Sequence, residues 1–146
     1  MQGDLYDHAT IIIDSAQTLL GERYGTLTSR QTEAIKTIIA NAEKLLHMYA
    51  EFTAMPLEDV PSMMRHELGN QLTPIRGYSD LLIMGVMGTL NLEQQAHVEA
   101  IYDTTTVLRE MINEIVAKAR TVAQSAGKYE PDSTEDAASS DLELTA

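Results

Sequence analysis

Residues 98–122 read VEAIYDTTTVLREMINEIVAKARTV, and this stretch decides the fold. Steps of three and four residues separate its apolar and small positions, which are Val98, Ile101, Thr105, Leu108, Ile112, Ile115, Ala119 and Val122. Such spacing places side chains along one face of an α-helix, as in helices that pack against other helices. The stretch therefore predicts a long amphipathic helix within a helical bundle.

Three further segments show the same periodicity. We call the positions along this helical face the seam. The seam positions are Leu5, Ile12, Ala16 and Leu19 in the first segment, Ile35, Ile38, Ala42, Leu45, Tyr49 and Phe52 in the second, and Met64, Leu68, Gln71, Ile75, Tyr78 and Leu82 in the third. Thr28 can cap the second segment, and Pro61 suits the first turn of the third, which runs to about Met84. Only 5% of residues are aromatic, and no strand-like alternation is visible, so the sequence predicts an all-α chain.

The chain repeats itself after 63 residues, because that shift lays residues 12–52 over residues 75–115. The turn YGTLT at 24–28 then falls on MGTLN at 87–91. Each copy reads as a helix, a glycine-containing turn and a capped helix. A single hairpin cannot bury its apolar stripe, so two tandem hairpins predict one four-helix bundle in which the two copies superpose.

This pattern divides the chain into three parts. Residues 1–54 are expected to form the first hairpin and residues 55–126 the second. Residues 127–146 carry six acidic residues against Lys128 and lose the periodicity, so we expect a disordered acidic tail. The hairpins could pair within one chain, giving a monomeric pseudo-dimer, or between the two chains of a homodimer.

Composition excludes several classes of function. The formal net charge is −12 at pH 7, which disfavours binding to nucleic acid or to an anionic membrane. There is no cysteine, and the longest apolar stretch, residues 81–87, is too short to cross a membrane. The first residues also lack the features of a signal peptide. We therefore expect a cytoplasmic protein without thiol chemistry.

The third segment contains an unusual stretch, RHELGNQLTPI at residues 65–75. If Met64 and Leu68 take the d and a positions of the seam, His66 takes position f and should be more than half exposed. Pro74 removes the hydrogen bond to the Asn70 carbonyl, which predicts a kink or a loosened turn one to two turns beyond His66. The pair His66 and Glu67 begins an HExxH pattern, but Asn70 stands at the second ligand position, so no metal site is expected.

Residues 65–75 resemble the H-box of two-component sensor histidine kinases, of the form HExxNPLTPI. The likeness continues through residues 77–82 and 88–95 and covers about residues 60–120, the dimerisation and histidine-phosphoacceptor hairpin of that family. Gln71 departs from the family pattern, because proline is usual at that position. Gly69 also departs from it, because a basic residue is common there. The first copy resembles the same hairpin, but Gly3 falls where His66 stands in the second, so it has no acceptor.

The resemblance implies roles for three residues. His66 would take and give a phosphoryl group, because a neutral imidazole is a competent nucleophile near pH 7. Glu67 would hold the imidazole tautomer or accept its second proton. Asn70 would orient a water molecule against the aspartyl-phosphate of a partner. The family's ATP-binding domain has no counterpart in the sequence, and no phosphate-binding glycine motif is present, so no cofactor is expected.

Three functions share this surface. The first is a histidine phosphotransfer protein, which exchanges a phosphoryl group between His66 and a receiver-domain aspartate of a response regulator. The second is a non-catalytic adaptor or inhibitor that binds a histidine kinase or a response regulator. The third is a phosphatase that acts through Asn70. For the phosphotransfer protein, the phosphoryl group would come from a receiver or from a separate kinase.

Other polar residues are expected to have structural roles. His8, His47 and His97 lack partners four residues away and are predicted to lie at the surface or at the edge of the seam. Arg65 is predicted to be a solvated charge, although it could also steady a phosphoryl group on its neighbour. The eight methionines are predicted to fill irregular gaps in the bundle.

Overall fold

The structure is a computed structural model that describes residues 2–127. It contains five α-helices and one short 3₁₀ turn. These elements are α1 (Gln2–Leu20), α2 (Ser29–Thr53), the 3₁₀ turn (Leu57–Asp59), α3 (Ser62–Asn70), α4 (Leu72–Met84) and α5 (Leu92–Ser125). Residues 128–146, nearly all of the predicted acidic tail, lie outside the described residues.

The helices form the predicted four-helix bundle of two hairpins. Helix α1 packs against α2 and α5, and α4 packs against the same two helices from the other side. Helix α3 also contacts α2 and α5, so α3 and α4 together occupy one place in the bundle. Helices α2 and α5 therefore lie on one diagonal, and each contacts both hairpins.

The predicted seams supply the core. Every seam residue named for α1 and α2 is buried, and so are six of the eight in the stretch that decides the fold. Burial of such side chains contributes about 25 cal/mol per Å² of apolar surface. The long helix α5 thus fixes the bundle through the face that the sequence predicted.

A reciprocal clasp joins the two hairpins at the turn end of the bundle. The Thr28 hydroxyl donates a hydrogen bond of 2.8 Å to the Met87 carbonyl, and the Asn91 side-chain amide donates one of 2.6 Å to the Tyr24 carbonyl. Thr28 and Asn91 also cap α2 and α5, each through a complete capping box. Since both residue pairs are related by the 63-residue shift, each hairpin holds the turn of the other in the same way.

Two glycines make this clasp possible. Gly25 and Gly88 have φ of 139° and 124°, which side chains rarely adopt. A Cβ atom on Gly88 would lie 2.9 Å from Thr28 Cγ2, and one on Gly25 would lie 2.8 Å from Asn91 Nδ2. Each turn therefore needs glycine for both its backbone conformation and its contact with the opposite cap.

We expect Gly88→Ala to lower the free energy of unfolding by about 1–3 kcal/mol, because it combines backbone strain with a clash at Thr28. Gly77→Ala is the matched control, since Gly77 lies within α4 and a Cβ there would meet nothing within 4 Å. Alanine should stabilise that helix by about 0.5–1 kcal/mol. Urea unfolding of the two variants measures both effects, and equal midpoints would contradict this account of the clasp.

The third predicted segment is two helices rather than one. Helix α3 ends at Asn70, Gln71 lies between the helices, and α4 begins at Leu72. Pro74 falls in the first turn of α4, where its missing N–H removes no intrahelical bond of that helix. Of the predicted kink or loosened turn beyond His66, the structure shows an interruption of the helix at Gln71.

Within residues 2–127, no helix combines the length and the apolar character needed to cross a membrane.

Candidate functional site

Helix α3 carries all three predicted site residues. His66 and Asn70 are four residues apart in one α-helix, so their side chains share a face. Glu67 and Asn70 are exposed, and His66 is partly buried. Buried Leu68 anchors the helix in the core, so α3 presents the face that bears Asn70 to solvent.

The prediction that His66 is more than half exposed is wrong, because the side chain is partly buried. The buried face of α3 contains Arg65 and Leu68, whereas Met64 is only partly buried. The helix is therefore turned relative to the predicted seam, which brings His66 closer to the packed side. The same shift continues in α4, where Leu72 and Ser79 are buried in place of Gln71 and Tyr78, so the buried face keeps its spacing across the break at Gln71.

Arg65 also differs from its prediction as a solvated charge. It is 3% exposed, and its Nη1 donates a hydrogen bond of 3.1 Å to the Val60 carbonyl. Its Nε and Nη2 have no hydrogen-bond partner within residues 2–127. The guanidinium thus ties the start of α3 to the connection from the 3₁₀ turn, at the cost of desolvating a charge.

A shallow depression of about 310 Å³ lies beside the break between α3 and α4. It is lined by Gly69, Leu72, Arg109, Ile112 and Asn113. A Cβ atom on Gly69 would lie 3.8 Å from Ile112 Cγ2, so alanine would fit there. The depression opens one turn from His66 and puts a cation and an amide of α5 beside the H-box.

Sequence reasoning missed Arg109 and Asn113, which are about 40 residues from His66 along the chain. Their only signal is the i, i+4 spacing on either side of the seam residue Ile112. That spacing places two exposed polar side chains on one flank of α5. It does not say which helix they face, and the tertiary contacts of α5 decide that.

The remaining histidines lie elsewhere. His97 packs against the Tyr24 ring, with ring centroids 4.7 Å apart, and its Nδ1 lies 3.0 Å from the Glu93 carbonyl oxygen. His47 is exposed with its Nε2 3.4 Å from Glu51 Oε2, so the prediction that it lacks a partner four residues away is wrong. His8 is partly buried on α1. In the part of the chain that the structure describes, no three His, Cys, Asp or Glu side chains are grouped to hold a metal ion.

Comparison with known protein families matches residues 57–122 to HisKA, the His Kinase A (phospho-acceptor) domain. The matched segment runs from the 3₁₀ turn into α5 and includes His66, Glu67 and Asn70. Neither the curated proteins nor the solved structures contain a significant match to the chain.

Proposed function

We propose that this chain acts as a histidine phosphotransfer protein of a two-component signalling system, because residues 57–122 match the His Kinase A phospho-acceptor domain. The match supports involvement of the chain in two-component histidine phosphotransfer signalling. The observation that carries the finer proposal is the placement of His66 within the matched segment, on a helix face shared with exposed Asn70.

The proposed reaction moves a phosphoryl group between His66 and a receiver-domain aspartate. The lone pair of one imidazole nitrogen attacks phosphorus, and the bond from phosphorus to the aspartyl oxygen breaks, which releases a free carboxylate. The other imidazole nitrogen then loses its proton. The reverse reaction returns the phosphoryl group to a receiver, so the chain needs no nucleotide for either direction.

Glu67 and Asn70 would support this reaction. Glu67 follows the nucleophile directly and is exposed, so its carboxylate is available to accept the proton or to fix the tautomer. The amide of Asn70 lies one turn beyond His66, within reach of a partner that docks on the same face. Arg109, at the edge of the neighbouring depression, would add a positive charge near the transferred group.

The architecture supports a shuttle. The helices within residues 2–127 close a four-helix bundle by themselves. In our proposal residues 1–54 are a degenerate hairpin that completes the bundle, because Gly3 stands where the acceptor would be. One bundle would then carry one acceptor, and a receiver domain of a response regulator is the proposed partner.

Two alternatives share the surface and are each favoured by one observation. Partial burial of His66, together with Gly69 and Gln71 in the H-box, favours an adaptor that binds a kinase or a receiver without accepting phosphate. Exposure of Asn70 favours a phosphatase that orients water against the receiver's aspartyl-phosphate. Both differ from the shuttle in whether His66 ever carries the phosphoryl group.

Incubation with a panel of phosphorylated receiver domains distinguishes the three functions. We expect at least one receiver to lose its label while the chain gains it, with acid-labile and base-stable chemistry. Loss of receiver label to inorganic phosphate, with none on the chain, would indicate the phosphatase. Binding without any change in label, from receivers or kinases, would contradict phosphotransfer and leave the adaptor.

A further inference from the structure

The bundle contains a second cavity that phosphotransfer does not use. It has a volume of about 620 Å³ and lies between α1, the end of α2, the 3₁₀ turn and α5. Its wall is mainly apolar, with Phe52, Met55, Leu57, Met111 and Ile115 among the residues that line it. Pockets that bind small molecules have volumes of about 300–1,000 Å³ and mostly apolar walls. This cavity is therefore of the right size and character for a small organic molecule.

One polar group in the cavity wall lacks a partner. Tyr49 lines the cavity and is 7% exposed, and its hydroxyl has no hydrogen-bond partner within residues 2–127. Burial raises the pKa of Tyr49 above its usual value, so the hydroxyl remains a protonated donor. An unsatisfied buried hydroxyl costs about 1–3 kcal/mol, which a ligand that accepts its proton would recover.

The internal repeat shows that packing alone does not require this hydroxyl. The 63-residue shift places Tyr49 on Ile112, which occupies the corresponding seam position of α5 and is fully apolar. An aliphatic side chain thus fills the equivalent position in the second hairpin, where it is buried. The tyrosine adds a hydrogen-bond donor to the first hairpin only, on the side where the larger cavity lies.

We propose that this cavity binds a small apolar molecule, aromatic or alicyclic, that bears one hydrogen-bond acceptor such as a carbonyl oxygen, which pairs with the Tyr49 hydroxyl. The apolar part of the wall buries the rings, and Tyr49 supplies a buried donor that has no partner within residues 2–127. The polar side chains of His8, Thr53, Glu114 and Lys118 also line the cavity. Met55 and Met111 are adaptable side chains that fit around ligands of irregular shape. Leu57 belongs to the 3₁₀ turn that leads into α3, so the ligand would contact the connection that positions His66.

Benzophenone and diphenylmethane test the proposal, because they have similar shapes and only benzophenone carries a carbonyl acceptor. Each is titrated into the full chain labelled with ¹³C at the methionine methyl groups. We expect both probes to shift the Met55 and Met111 signals and to leave the exposed Met63 and Met84 unchanged. Benzophenone should bind about three- to tenfold more tightly, as one neutral hydrogen bond predicts.

Two variants complete the test. Tyr49→Phe keeps the ring and should remove the difference between the probes. Val107→Trp, at a lining position that is 41% exposed, should weaken both probes at least tenfold while the far-ultraviolet circular dichroism stays the same.

Three results would overturn the proposal. The first is the absence of a shift at Met55 and Met111 with either probe up to its solubility limit. The second is an unchanged preference for benzophenone in Tyr49→Phe. The third is a set of nuclear Overhauser contacts from Met55 or Met111 to Leu142 or Leu144 in the protein without probe, which would assign the cavity to the chain's own C-terminal segment.

Discussion

His66→Gln is expected to abolish transfer of the phosphoryl group from a receiver domain to this chain. The glutamine amide is not a nucleophile, whereas the imidazole nitrogen is the atom that forms the bond to phosphorus. The substitution keeps a polar side chain on a partly buried position of α3, so the bundle should remain folded. The measurement is the label on the chain after incubation with a phosphorylated receiver, compared with the wild-type chain.

Two control variants show whether a loss of label is specific to His66. They distinguish it from the effect of removing any histidine or of weakening the binding of the receiver. His47→Gln removes an exposed histidine from α2 and should leave the label unchanged. Asn70→Ala should also spare labelling, and it should slow loss of receiver phosphate only if the chain is a phosphatase. Full labelling of His66→Gln would contradict the assignment of His66 as the acceptor.

Leu82→Ala is expected to lower the free energy of unfolding by about 2–5 kcal/mol, the range for truncating a fully buried leucine. Leu82 is 0% exposed in α4 and belongs to the core between the two hairpins. Its neighbour Leu81 is 37% exposed, so Leu81→Ala, the same chemical change one residue away, should cost less than about 1 kcal/mol. Equal costs in urea unfolding would show that α4 does not pack as described.

The fold was largely readable from the sequence because helical periodicity is a local property. Steps of three and four residues identified the buried faces of α1, α2 and α5, and the capping signal at Thr28 marked the start of α2. The clasp could not be predicted in the same way. A capping box is visible in the sequence, but the bond from Thr28 to Met87 depends on how two distant turns meet.

The candidate site was harder to predict, because polar residues were not considered for the buried face of the third segment. Six seam positions from Met64 to Leu82 set the predicted register, and a buried arginine was not considered as part of a core face. Arg65 takes that place, with its Nη1 bonded to the Val60 carbonyl, and His66 moves toward the packed side. Leu72 and Ser79 of α4 show the same shift of one residue from the predicted seam, so the buried faces of both helices are turned together.

The apolar cavity lay beyond sequence reasoning for a different reason. Tyr49 was correctly predicted as a seam residue, and its ring is buried. Whether its hydroxyl finds a partner depends on the atoms around it from α1, α5 and the 3₁₀ turn. A one-dimensional pattern gives the face on which a side chain lies, and it does not give the volume left unfilled beside it.

Tandem mass spectrometry of the wild-type chain, after incubation with a phosphorylated receiver domain under alkaline conditions, tests the central claim most directly. Fragmentation that preserves the phosphorus–nitrogen bond locates the phosphoryl group on a single residue. We predict that the group lies on His66 and not on His8, His47 or His97. A phosphoryl group on another residue, or none on the chain with any receiver or kinase, would contradict the account.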